Sequence, residues 1–162
     1  MDKQSRARVS LKNPVHFLAL GFGSGLAPKA PGTFGTLAAL PLVWMLSLYT
    51  PWYTYLLITV VICIVGMWIC GKTADDMQAH DDGAIVWDEI AGMLITMLAV
   101  PISWQTMLAG FLLFRFFDIL KPWPISYLDK HVHGGLGIMI DDVLAGLFSL
   151  TCIHLALYLQ YL

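Results

Sequence analysis

A chain of 162 residues holds one domain, and 58% of this one is hydrophobic while 12% is charged, about half the roughly 25% charged share of ordinary globular proteins. So much apolar side chain exceeds what a soluble core of this size can hide, which excludes a soluble class and implies a lipid environment. The net charge of −2 and the lack of a basic tract leave no signal for nucleic acid.

Residues 1–12 carry Lys3, Arg6, Arg8 and Lys12 and are expected to form a flexible, cytoplasmic basic tail on the single domain 1–162. The apolar patch that follows, VHFLAL, is too brief for a signal peptide, and no small-residue cleavage site follows it. Next comes APKAPGTFGT, residues 27–36. Lys29, Thr33 and Thr36 offer a charge and hydroxyls, and Gly32 and Gly35 let bare backbone N–H groups approach a ligand. A loop of this kind ahead of a helix can hold an anion. Pro-Gly-Thr is equally plain turn chemistry.

Five apolar segments follow, at residues 36–49, 52–70, 90–100, 104–117 and 143–162. The second and fifth approach the roughly 20 residues that cross a bilayer as a helix. The other three are shorter and must borrow flanking turns, lie shallow or thin the membrane. The expected fold is therefore all-α: a polytopic membrane helical bundle of four to five membrane-embedded helices. Lys29, Lys72, Lys121 and Lys130 fall between segments on one side, as does the basic tail, whereas the turns YTPWYT and VPISWQT are uncharged. Positive residues mark the cytoplasmic side, which favours five crossings. Cys63, Cys70 and Cys152 lie in or beside apolar runs, without disulfide or zinc spacing, and read as packed free thiols. The sequence fixes no oligomeric state.

Every acid after Asp2 also falls on that cytoplasmic side. Two stretches repeat each other, DEIAG at 88–92 and DVLAG at 142–146. In each, an Asp and a Gly four residues apart share a helix face. Small residues there allow close helix approach, which would bring Asp88 and Asp142 together. FRFFDILK adds Arg115, Asp118 and Lys121 near one face at the end of the fourth segment. Asp88 and Asp142 also suit helix capping. Yet the doublets Asp88–Glu89 and Asp141–Asp142 exceed what caps need, and an acid such as Asp118 at a helix C-terminus opposes the dipole. Ionisable groups at embedded helix ends are expensive and functional by default. An all-oxygen ligand set suits Mg²⁺, with Mn²⁺ as its stand-in. His80, His131 and His133 lie in the same loops, and HGGLG at 133–137 supplies a turn or a close approach to a headgroup. A metal bound by carboxylates calls for an anionic substrate, and a phosphorylated lipid fits this boundary.

Four blocks, GFGSGLAPKAPGTFGTLAALP, HDDGAIVWDEIAGM, FRFFDILKPWPI and VHGGLGIMIDDVLAG, together resemble the phosphatidylglycerophosphatase A family of bacterial inner-membrane enzymes. The resemblance implies Mg²⁺-dependent hydrolysis of phosphatidylglycerophosphate to phosphatidylglycerol, a precursor of cardiolipin, on the cytoplasmic face of a multi-pass protein. Asp88, Glu89, Asp118, Asp141 and Asp142 all fall within its blocks. Asp88, Asp118 and Asp142 are the expected metal ligands, with Glu89 or Asp141 as further ligand or base. Lys29 or Lys121 would offset phosphoryl charge, aided by Gly32, Thr33, Thr36 and Arg115. His80 and Asp81 are second-rank candidates. Two rival classes fit less well. The Asp-Gly…Ala-Arg signature of a CDP-alcohol phosphotransferase is missing, and a small ion transporter would carry acids in mid-span.

Overall fold

The computed structural model describes residues 8–79 and 82–161, so the expectations placed on residues 1–7, His80 and Asp81 lie outside the described residues. The described residues form helices joined by turns: α1 (Pro14–Ala19), a 3-10 turn (Gly21–Leu26), α2 (Pro31–Tyr49), α3 (Trp52–Met77), α4 (Trp87–Thr96), α5 (Trp104–Leu120), α6 (Ile125–His131) and α7 (Gly134–Tyr158). The all-α expectation holds.

Local chemistry explains where the helices start and stop. Asn13 caps α1 by accepting the Val15 N–H at 3.0 Å, with Pro14 in the first turn. Pro31 opens α2, where its missing N–H costs nothing. Ser103 and Thr106 form a reciprocal capping box that starts α5. Lys121 ends α5 in a left-handed conformation, φ 42°, and Pro122 follows.

The bundle is organised around α4. Every residue of this ten-residue helix is buried except Asp88 and Glu89. At about 15 Å it reaches half of the roughly 30 Å hydrocarbon thickness, so it is an interior strut and no spanning helix. Helix α3 runs against it: Tyr55 Oη donates to Leu94 O at 3.1 Å, and Trp87 Nε1 donates to Ile62 O at 3.1 Å. Helix α5 is likewise antiparallel, with Gly110 against Met97 and Phe114 against Gly92. Helix α7 runs alongside α4, from Asp142 at Gly92 to His154 Nε2, 3.1 Å from Leu98 O. The chain thus passes back and forth between two ends. One end holds the starts of α2, α4 and α7 and the finishes of α3 and α5, and gathers the charged side chains. The other, at residues 49–52, 97–103 and 158, has none.

The sides of the bundle are apolar. Leu57, Val61, Ile64 and Trp68 of α3, Trp44 and Met45 of α2, and Leu112 and Phe116 of α5 are all at least half exposed. Helices α2, α3 and α7 are long and apolar enough to cross a bilayer, three where the sequence suggested four or five. The difference lies in α4, which is short, and α5, which at 17 residues spans about 25 Å. Cys63, Cys70 and Cys152 are free thiols, with Cys70 buried.

Candidate active site

The acids come to the charged end on three helices. Asp88 and Glu89 occupy the first turn of α4, behind an N-cap, Val86, that makes no side-chain capping bond. Asp118 sits in the last turn of α5. Helix α7 begins at Gly134, nine residues before the apolar run suggested, which places Asp141 and Asp142 well inside it. Capping therefore accounts for neither of the α7 acids. The two Ala-Gly repeats explain the convergence. A Cβ on Gly92 would lie 2.9 Å from Asp142 O, and one on Gly146 would lie 2.7 Å from Gly92 O, so only glycine lets α4 and α7 touch backbone to backbone. Gly135 does the same for α7 on α3, since an added Cβ would meet Met67 O at 1.7 Å. Within HGGLG, Gly135 serves helix contact, while Gly134 takes a left-handed φ of 70° at the turn into α7 and Gly137 lies under the Val132 carbonyl of that turn.

The result is two adjoining carboxylate trios. Asp88, Glu89 and Asp142 each offer an oxygen within 4.8 Å of the others, and so do Asp118, Asp141 and Asp142. Asp142 belongs to both and is 3% exposed. Arg115 Nη1 lies 2.5 Å from Asp118 Oδ2 and 4.0 Å from Glu89 Oε1. Lys121 Nζ donates to Asp129 Oδ1 and Asp141 Oδ2, both at 2.6 Å. Three buried carboxylate oxygens, Asp88 Oδ1, Glu89 Oε2 and Asp141 Oδ1, have no hydrogen-bond partner. Burial and then the Glu89 charge push Asp88 well above the ordinary carboxylate range, and burial and then Asp142 raise Glu89. Burial of the Lys121 ammonium works against its charge, but the Asp129 and Asp141 carboxylates outweigh it and hold its pKa above the usual lysine value. A hard cation would satisfy the orphaned oxygens and offset the crowded like charges, and this all-oxygen donor set fits Mg²⁺ or Mn²⁺. A cavity of about 200 Å³ opens beside them, and Asp88, Glu89, Asp118, Asp141 and Asp142 all line it.

Residues 17–157 match the family model described as phosphatidylglycerophosphatase A. The chain belongs to the phosphatidylglycerophosphatase A family. It is 51% identical over 146 residues to the phosphatidylglycerophosphatase A of Escherichia coli K12, covering 90% of this chain and 84% of that one. With the phosphatidylglycerophosphatase A of Haemophilus influenzae it shares 48% over 152 residues, 93% of each. A Bacteroides thetaiotaomicron protein carrying the provisional name phosphatidylinositol-3-phosphatase is 37% identical over 147 residues, 86% of this chain and 91% of that one. No solved structure matches.

Within this phosphatidylglycerophosphatase A fold the five acids meet, but Asp88 and Asp118 join Asp142 in different trios. The loop read as a phosphate cradle is arranged otherwise. Residues 31–36 are the start of α2, and none of Lys29, Gly32, Thr33 or Thr36 lines the cavity. Gly32 faces Glu89, whose Oε1 would lie 2.2 Å from an added Cβ. The Thr36 hydroxyl is buried and donates to Gly32 O at 2.9 Å. Lys29 is exposed. His133 lines the cavity, whereas His131 stacks on Tyr127 at 4.2 Å and is exposed. Asp129 was not singled out in the sequence, yet it lines the cavity and grips Lys121. The eight-residue separation across a proline turn has no helical period that would have paired them.

Proposed function

We propose that this protein hydrolyses phosphatidylglycerophosphate to phosphatidylglycerol and inorganic phosphate with Mg²⁺, at the cytoplasmic face of the bacterial inner membrane, in phosphatidylglycerol and cardiolipin synthesis. The observation that carries this reading is the meeting of five largely buried acids at one end of an apolar bundle. The family membership and the half-identical relatives named for this reaction support it.

The apolar sides suit lipid, with α2, α3 and α7 crossing and the shorter α5 thinning the bilayer to follow them. Helix α4 is sheltered by its neighbours and needs no lipid contact of its own. Lys29, Lys72, Lys121 and Lys130 share the acidic end, which argues for a cytoplasmic location. A lipid phosphate then reaches the acids while its tails stay in the bilayer.

Asp88, Asp118 and Asp142 would hold the metal, with Glu89 or Asp141 as a further ligand. When bound, Mg²⁺ would supply positive charge to the phosphoryl oxygens and make water a better nucleophile near neutral pH. Arg115 pairs with Asp118 and lies at the edge of ion-pair range from Glu89, and Lys121 orients Asp141 through a charge-assisted hydrogen bond. Whichever of Glu89 and Asp141 keeps a carboxylate oxygen clear of the metal is the candidate to take the proton of the attacking water.

Asparagine at Asp88, Asp118 or Asp142 preserves shape and removes one negative ligand. Each variant is expected to release phosphate more slowly by more than the roughly 10–100-fold typical of losing a residue that only hydrogen-bonds to a metal ligand. Near-normal release from all three would refute the assignment. Running phosphatidylinositol 3-phosphate in parallel measures headgroup choice, and a preference for it would replace the proposed substrate.

A further inference from the structure

Resting on the phosphatase reading above, we propose that the site takes two divalent cations side by side, with Asp142 as their shared ligand. The first would sit among Asp88, Glu89 and Asp142, the second among Asp118, Asp141 and Asp142. In each trio the oxygens lie within 4.8 Å of one another. Bonds of about 2.1 Å place neighbouring ligands of one Mg²⁺ about 3.0 Å apart and opposite ones about 4.2 Å apart, so each trio closes on an ion if its carboxylates draw in by about 1 Å. Asp118 and Asp141 fall outside the first trio, and Asp88 and Glu89 outside the second.

The unpartnered oxygens provide the independent sign. They occur in both trios: Asp88 Oδ1 and Glu89 Oε2 in the first, Asp141 Oδ1 in the second. Asp141 is 8% exposed and lines the cavity, and its other oxygen is already taken by Lys121. A buried carboxylate oxygen without a donor is costly, and one ion in the first trio would leave Asp141 unsatisfied.

Charge leads to the same count. The trios hold five carboxylates against Arg115 and Lys121, and Lys121 is also engaged by Asp129. One divalent ion leaves that balance negative, which repels a phosphate. Two bring it close to neutral and let the anion approach. A pair of ions bridged by one acid is also the arrangement that clamps both the attacking and the leaving oxygens of a phosphoryl group.

The test is to strip the purified, detergent-solubilised protein of metal and titrate it with Mn²⁺, counting bound ions and recording low-temperature electron paramagnetic resonance. The expected result is two Mn²⁺ per chain with an exchange-coupled spectrum. Asp141→Asn should drop the count to one and abolish coupling. Asp142→Asn should lose coupling and weaken Mn²⁺ binding at least tenfold, with circular dichroism confirming that helix content is kept. Saturation of the unsubstituted protein at one uncoupled Mn²⁺ overturns the proposal. Phosphate release measured on the same samples separates the two readings. Activity with one ion would leave the phosphatase and remove the pair, whereas a coupled pair without hydrolysis would keep the pair and remove the substrate.

Discussion

At Gly32 a single methyl group decides whether Glu89 keeps its place, because a Cβ there would stand 2.2 Å from the carboxylate and 3.1 Å from Arg115 Nη1. Gly32→Ala is therefore expected to push Glu89 aside and cut phosphate release by up to about 100-fold, the loss that a shift near 1 Å in a reacting group can cause. Circular dichroism should show helix content unchanged. Lys121 is tied to two carboxylates, so Lys121→Met leaves Asp129 and Asp141 without their shared cation. The expected outcome is a rise in the Mg²⁺ concentration needed for half-maximal activity, read by titrating the metal at saturating substrate. Sequence reasoning could see Asp118 because an acid at a helix C-terminus is out of place. It could not see that Lys121 spends its charge inside the protein, since that depends on a chain reversal through Pro122 and Pro124.

Among the elements, helix interiors and the ends at the uncharged face, Tyr49, Trp52 and Trp104, were legible, whereas the ends at the charged face were not. The apolar runs located α3, α5 and the outer half of α7, while the charged last turns of α3 looked like loop. They remain helical, with Lys72 and Asp76 paired at i, i+4 in the last turns. The start of α7 was hidden for a different reason. Glycines read as a turn in isolation, but against a neighbouring helix they permit contact that no other residue allows. Gly135→Ala places its Cβ 1.7 Å from the Met67 carbonyl, and backbone cannot yield as a side chain does. Overpacking of this kind costs about 1–3 kcal/mol or more. A lowered Tm in detergent, with weaker Mn²⁺ binding as α7 moves off α3, is the expected result. An unchanged Tm would mean that the contact is slack.

The whole molecule is a bundle with one charged end and apolar flanks. That much was written in the segregation of acids and lysines along the chain, even though the number of long helices was not. Helix α4 misled because an apolar run of its length reads equally as a short span or as a strut buried on all sides, and only packing decides. The proposed orientation makes a labelling prediction. In a background lacking Cys63, Cys70 and Cys152, a cysteine at Lys29 or Lys130 should react with an impermeant thiol reagent only after the membrane is opened. One at Tyr49 or Tyr158 should react from the outside. The reverse pattern would place the acids on the wrong face.

We infer that these acids form a metal-dependent phosphatase site for a membrane lipid. It is tested most directly by following inorganic phosphate released from phosphatidylglycerophosphate by the purified protein, first with Mg²⁺, then after chelation, then after Mg²⁺ is restored. Hydrolysis should stop on chelation and return with the metal. Hydrolysis that continues undiminished in excess chelator, or no phosphate release with Mg²⁺ present, would contradict it.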